Sequence, residues 1–180
     1  MDRLSAYGIA LDVPTGWEAE LSLQDADETD AGPPPDGQGL VVLHAANFWL
    51  PTERDDYGAE ALEAMGPAGV FIALVEFDHD AVGSLLFEHQ GIPADLQPDD
   101  FDPNALRRPM REQTGLQRFF HSAGRAFCLH AAIGSHNNRY MLTQDVNSIL
   151  SGLTIEKIRT SSPAPTIIGT TPGSHDNDGD

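Results

Sequence analysis

Basic residues are scarce in this chain. Ten Lys and Arg stand against 28 Asp and Glu over 180 residues, a formal net charge of −18, and only one of the ten is a lysine. A field of that sign repels nucleic-acid phosphates and anionic membrane surfaces, which argues against both as partners. Cysteine is nearly absent as well. Cys128 stands alone, so no internal disulfide can form. No apolar run approaches the roughly 18 residues of a spanning helix. The first residues, MDRLSAYGIALDVPTGW, lack an apolar stretch of signal-peptide length. The expected compartment is the cytoplasm.

What is present is enough for one core. At 180 residues, 40% of them hydrophobic, the chain suits a single domain better than two. We expect one globular unit over 1–158. It contains a solvated, acidic Pro/Gly-rich loop at 24–38 (QDADETDAGPPPDGQ), and a disordered acidic tail follows at 159–180.

Periodicity supplies the elements. Tyr7 to Val13 alternates in part and ends at the turn signal Pro14-Thr15-Gly16. Trp17 to Leu23 alternates cleanly, with Trp17, Ala19, Leu21 and Leu23 opposite Glu18, Glu20 and Ser22. The two runs are expected to pair as a hairpin. Residues 39–48 and 70–77 are apolar on both faces, as in interior strands covered from both sides. Between them DDYGAEALEAM, residues 55–65, reads as a short helix stopped by Gly66-Pro67. Over 139–153, Leu142, Val146, Ile149, Leu150 and Leu153 form an apolar helical stripe. The stretch 79–114 is proline-rich and gives little periodicity, although Asp102-Pro103 is placed to cap a short helix.

FFHSAGRAFCLHAAIGSHNN, residues 119–138, holds the lone cysteine and three of the seven histidines. In a strand over 126–133, Phe127, Leu129, Ala131 and Ile133 share one face, and Cys128 and His130 share the other with Ala126 and Ala132. Two strand positions are about 6.6 to 6.8 Å apart, too far for a thiol–imidazole hydrogen bond. Cys128 therefore reads as a buried small hydrophobe rather than a nucleophile. Ser122-Ala123-Gly124-Arg125 reads as a hairpin connection, with Gly124 suited to positive φ.

His121, His130 and His136 can converge only through the fold, and His44, on the 39–48 strand, can neighbour His130 across a sheet. Metal binding would need three or four ligands meeting at about 2.0 to 2.3 Å, so no metal site is expected. Neither a catalytic set nor a cofactor is expected.

The arginines Arg107, Arg108, Arg111, Arg118 and Arg125 crowd into 19 positions. They read first as ion-pair partners of nearby acids such as Asp99, Asp100, Asp102 and Glu112, and second as a partner-contacting patch. Trp49 reads as a core-edge residue, with an exposed interface anchor as the alternative. The binding candidates are Trp49, Arg107, Arg108, Arg111, Arg125 and His130.

Two short motifs carry a resemblance. A strand runs into Pro14-Thr15-Gly16-Trp17, a P-x-G-W turn, and the chain closes on Val146-Asn147-Ser148-Ile149-Leu150-Ser151-Gly152-Leu153-Thr154-Ile155. Over about residues 5–158 this order resembles the PsbP-like domains, which include photosystem II subunit P, a Mog-type Ran-binding protein and small bacterial proteins. The resemblance implies an α+β fold, a single-domain α/β/α sandwich with a mainly antiparallel sheet flanked by helices. It also implies a non-enzymatic accessory role, and it transfers no site residue. The expected function is protein binding, through loops such as 49–56 or 94–111. The alternatives are a small-molecule binder or enzyme using His44, His130, Cys128 and Arg125 on one sheet face, and self-assembly through an exposed apolar edge.

Overall fold

The expected apolar strands are there, and they lie in antiparallel sheets. A computed structural model describes residues 2–24, 40–53, 55–106 and 112–157. The acidic loop from residue 25 onward, the tail at 159–180, and Arg107, Arg108 and Arg111 lie outside the described residues.

In chain order the strands are β1 (Asp2–Ala6), β2 (Ile9–Val13), β3 (Glu18–Gln24), β4 (Leu40–Ala46), β5 (Val70–Phe77), β6 (Thr114–Ser122), β7 (Arg125–Ile133) and β8 (Leu153–Ile155). The helices are α1 (Ala59–Ala64) and α2 (Arg139–Ser151). One sheet has the order β1-β2-β8 and the other β3-β4-β5-β7-β6, with neighbouring strands antiparallel throughout. The class is α+β. Among the described residues no helix is long and apolar enough to cross a membrane.

One expected pairing is wrong. The runs on either side of Pro14-Thr15-Gly16 do not form a hairpin with each other. β2 pairs with β1 through the Tyr7–Gly8 turn and with β8, while β3 pairs with β4 in the other sheet. The turn itself forms, with Trp17 N donating to Pro14 O at 3.1 Å and Gly16 at φ 84. It redirects the chain between sheets, because a type II geometry of this kind does not match the twist of a tight hairpin.

The larger sheet has a heavy side and a light side. On the heavy side Leu43, Ile72, Leu74, Phe127, Leu129 and Ile133 meet Leu142, Val146, Ile149 and Leu150 of α2 and Ile9 and Leu11 of the small sheet. The α2 stripe is the one read from spacing. On the light side Ala46, Phe71, Ala73 and Ala132 meet Ala61, Leu62 and Met65 around α1. Covered from both sides, every residue of β7 is buried. Truncating one of the large core side chains to Ala costs about 2–5 kcal/mol.

α1 starts from Gly58 at φ 70, where an added Cβ would overlap the Phe71 ring. Asp55 Oδ1 accepts from Ala59 N at 2.8 Å, which satisfies one of the first-turn donors.

Candidate functional site

The sequence candidates scatter. Cys128 and His130 lie on the light side of β7 and are 0% and 2% exposed. The register sets Glu20, His44, Ala73, His130 and Gln117 in one row across the sheet. His44 and His130 are therefore not on adjacent strands, because Ala73 of β5 stands between them. His44 Nε2 donates to Asp56 O at 2.9 Å, its ring stacks on Phe71, and the Tyr57 ring meets His130 edge-on at 6.1 Å. Among the described residues no three His, Cys, Asp or Glu side chains gather as a metal site. His121 Nδ1 donates to Phe87 O at 2.6 Å.

Arg125 is a clamp between the sheets. Its Nε and Nη2 donate to Glu76 Oε1 and Oε2 at 2.6 and 2.7 Å, and its Nη1 donates to Tyr7 O at 3.0 Å and Glu156 O at 3.4 Å. The guanidinium also lies over Phe127, 5.2 Å from the ring centroid. The side chain is 5% exposed, so Arg125 is not available as a surface contact. It projects with Phe127 and Glu76 to the side opposite Cys128 and His130. The four side chains of the small-molecule reading therefore do not share one open cavity.

Trp49 is 76% exposed. Its neighbour Leu50 is buried and donates its N–H to Glu18 Oε2 at 2.8 Å, which holds the loop down and leaves the indole outside. The core-edge expectation for Trp49 is corrected accordingly.

A cleft that sequence reasoning missed lies at the β6 edge of the large sheet. The β6–β7 connection is a two-residue turn with Ala123 at φ 54 and Gly124 at φ 76, a type I′ geometry that places Ser122 and Arg125 as a hydrogen-bonded pair. Counting back, Phe120, Arg118 and Leu116 direct their N–H and C=O groups to β7. Gly115, Gln117, Phe119 and His121 direct theirs outward.

Both ends of that outer row are taken. Gly115 exchanges two backbone hydrogen bonds with Asp102, at 2.8 and 3.1 Å, and His121 N donates to His89 O while its own carbonyl accepts from Gly91 N. Between those points the chain bows away from the strand as a strap, residues 92–101. Among the described residues the N–H groups of Gln117 and Phe119 and the carbonyl of Phe119 make no hydrogen bond. The strap and strand enclose a cleft of about 520 Å³.

Ile92, Pro93, Ala94, Leu96 and Phe119 form its apolar lining, and His89, Asp95, Asp100 and Arg118 its polar lining. Arg118 spans the gap, with Nη2 donating to Asp100 Oδ1 at 2.8 Å and Nη1 to Gln117 O at 3.2 Å. Among the described arginines of the cluster, Arg118 makes the local ion pair expected, whereas Arg125 pairs with Glu76, 49 positions away.

The strap is pinned from behind. Asn147 of α2 accepts from Leu96 N at 3.0 Å and donates to Leu96 O at 2.9 Å, copying a strand pair with one side chain. Leu96 and Phe101 reach into the main core. Gln97 and Asp100 bond each other's backbone in a capping box. Asp102 caps the turn Pro103–Ala105 by accepting from Asn104 N at 2.7 Å, as its position before proline predicts.

Below the cleft Phe87 is buried against Phe77 and Phe119, and its neighbours Leu85 and Leu86 project outward, 88% and 56% exposed. An exposed apolar pair beside an open strand edge is what a partner surface offers. No protein-family model matches the chain, and neither a curated protein nor a solved structure matches it.

Proposed function

We propose that this protein is a non-enzymatic accessory domain, built on a PsbP-like α/β/α sandwich, and that it holds a protein partner in the cleft beside β6. One observation carries the reading. A sheet edge stripped of its neighbour between Gly115 and His121 faces a strap fixed in place by Asn147, Leu96 and Phe101. Unsatisfied backbone groups on a strand edge are a template for another chain. The pinned strap limits the ordering cost of binding. Exposed Leu85 and Leu86 extend the surface next to it with apolar area. The scaffold part of the reading is supported by the P-x-G-W turn, by α2 returning through β8 to the first hairpin, and by a helix on each side of the large sheet.

The test places a photo-crosslinking amino acid at Ala94, in the cleft, and separately at Ser148, exposed on α2, in cells of the source organism. The expected result is an adduct with one second polypeptide from position 94 and none from 148, lost when Pro93→Trp fills the cleft. Equal crosslinking from both positions, or none from 94, overturns the reading.

A further inference from the structure

Resting on that reading, we propose that the cleft takes a short, extended, Lys- or Arg-bearing segment of a second protein, paired main chain to main chain with Gln117 and Phe119. Length comes from the edge geometry. Gly115 to His121 is six strand steps, about 20 Å, and a strand added there lies about 4.8 Å from β6. Asp102 and Gly91 already occupy the two ends, which leaves room for a segment of about three to five residues and excludes a long through-running strand.

The sign of the charge comes from the walls. Asp95 and Asp100 line the cleft, and Asp99 sits on the same strap with its side chain 86% exposed; among the described residues the cations there are already engaged, Arg118 by Asp100 and the Gln117 carbonyl and Arg139 by Asp99 at 3.7 Å. The chain as a whole carries −18. This field draws a cationic segment and opposes a second copy of the chain. Alternate apolar side chains of the segment rest on Ile92, Pro93 and Phe119, so affinity comes from edge hydrogen bonds and selectivity from side chains in alternation.

The experiment titrates the full chain with an acetylated, amidated pentapeptide, Lys-Val-Lys-Val-Lys, and with its Glu-Val-Glu-Val-Glu counterpart, read by amide NMR and hydrogen exchange. The basic peptide is expected to bind at least tenfold more tightly and to slow exchange of the Gln117 and Phe119 amides. Gln117→Pro, which removes an outward N–H and no β6–β7 bond, is expected to weaken it about tenfold. Ala94→Trp, which fills the cleft, is expected to abolish it.

Binding lost in Ala94→Trp but unchanged in Gln117→Pro overturns strand pairing and leaves the cleft reading standing. Binding unchanged in both overturns the cleft itself. Equal affinity for the acidic peptide, or no binding of the basic one, overturns the cationic segment. Protection of the two amides that grows with protein concentration and no peptide assigns the edge to a second copy and overturns the proposal. If Gln117→Pro fails to fold, amide protection and the basic-to-acidic ratio in the native chain still decide it.

Discussion

Replacing Arg125 by Met should strip the molecule of a buried polar contact between its two sheets. The guanidinium and the Glu76 carboxylate are 5% and 13% exposed, so water screens the pair little. Arg125→Met leaves the Glu76 carboxylate buried without its cation, and breaking a buried pair from one side costs about 3–5 kcal/mol. The Tyr7 and Glu156 carbonyls lose a charged donor at the same time. Replacing both members, Arg125→Met with Glu76→Leu, removes the stranded charge, and apolar replacement of a whole pair is often close to neutral. The double variant should then be more stable than Arg125→Met alone, with only the carbonyl term, about 1–3 kcal/mol, remaining. Urea unfolding followed by far-UV circular dichroism reads this directly. With a slope of about 1–3 kcal/mol/M, the single variant should lower the midpoint by about 1 M or more, with the slope unchanged. A loss below about 1 kcal/mol, or a double variant no better than the sum of the singles, would refute the clamp.

Other consequences are narrower. Trp49→Ser should shift stability by no more than about 0.5 kcal/mol in the same urea assay, since the indole is outside. Cys128 should resist a thiol reagent in the native state and react at once in denaturant, because it is fully buried. Asn147→Ala should cost about 1–3 kcal/mol by leaving both Leu96 backbone groups without their partner, and it should speed amide exchange along residues 92–101.

The scaffold was largely legible because its signals are local. The faces of β7, the two apolar central strands, the α2 stripe and the Ala123–Gly124 turn all follow from residue spacing and turn chemistry. What sequence could not supply was strand order. Which strand lies at an edge depends on how distant segments pair, so nothing in TGLQRFFHS marks β6 as half-open. The same ignorance set the run before Pro14 against the run after it, although each belongs to a different sheet. Arg125 looked like a surface cation because its partners, Glu76, Tyr7 and Glu156, are 31 to 118 residues away. Asn147 sat inside a quoted motif, but its bond to Leu96 crosses 51 positions. The strap read as proline-rich noise for a physical reason: its 3-10 turns and caps hold it without any period.

Residue-resolved amide hydrogen exchange of the free chain tests the open edge most directly. An edge strand with an absent neighbour predicts alternation along β6: fast exchange at Gln117 and Phe119, slow exchange at Leu116, Arg118 and Phe120, and protection again at Gly115 and His121. Uniform protection from Gly115 to His121, independent of protein concentration, would mean that another part of the chain already covers the edge, and would contradict the account.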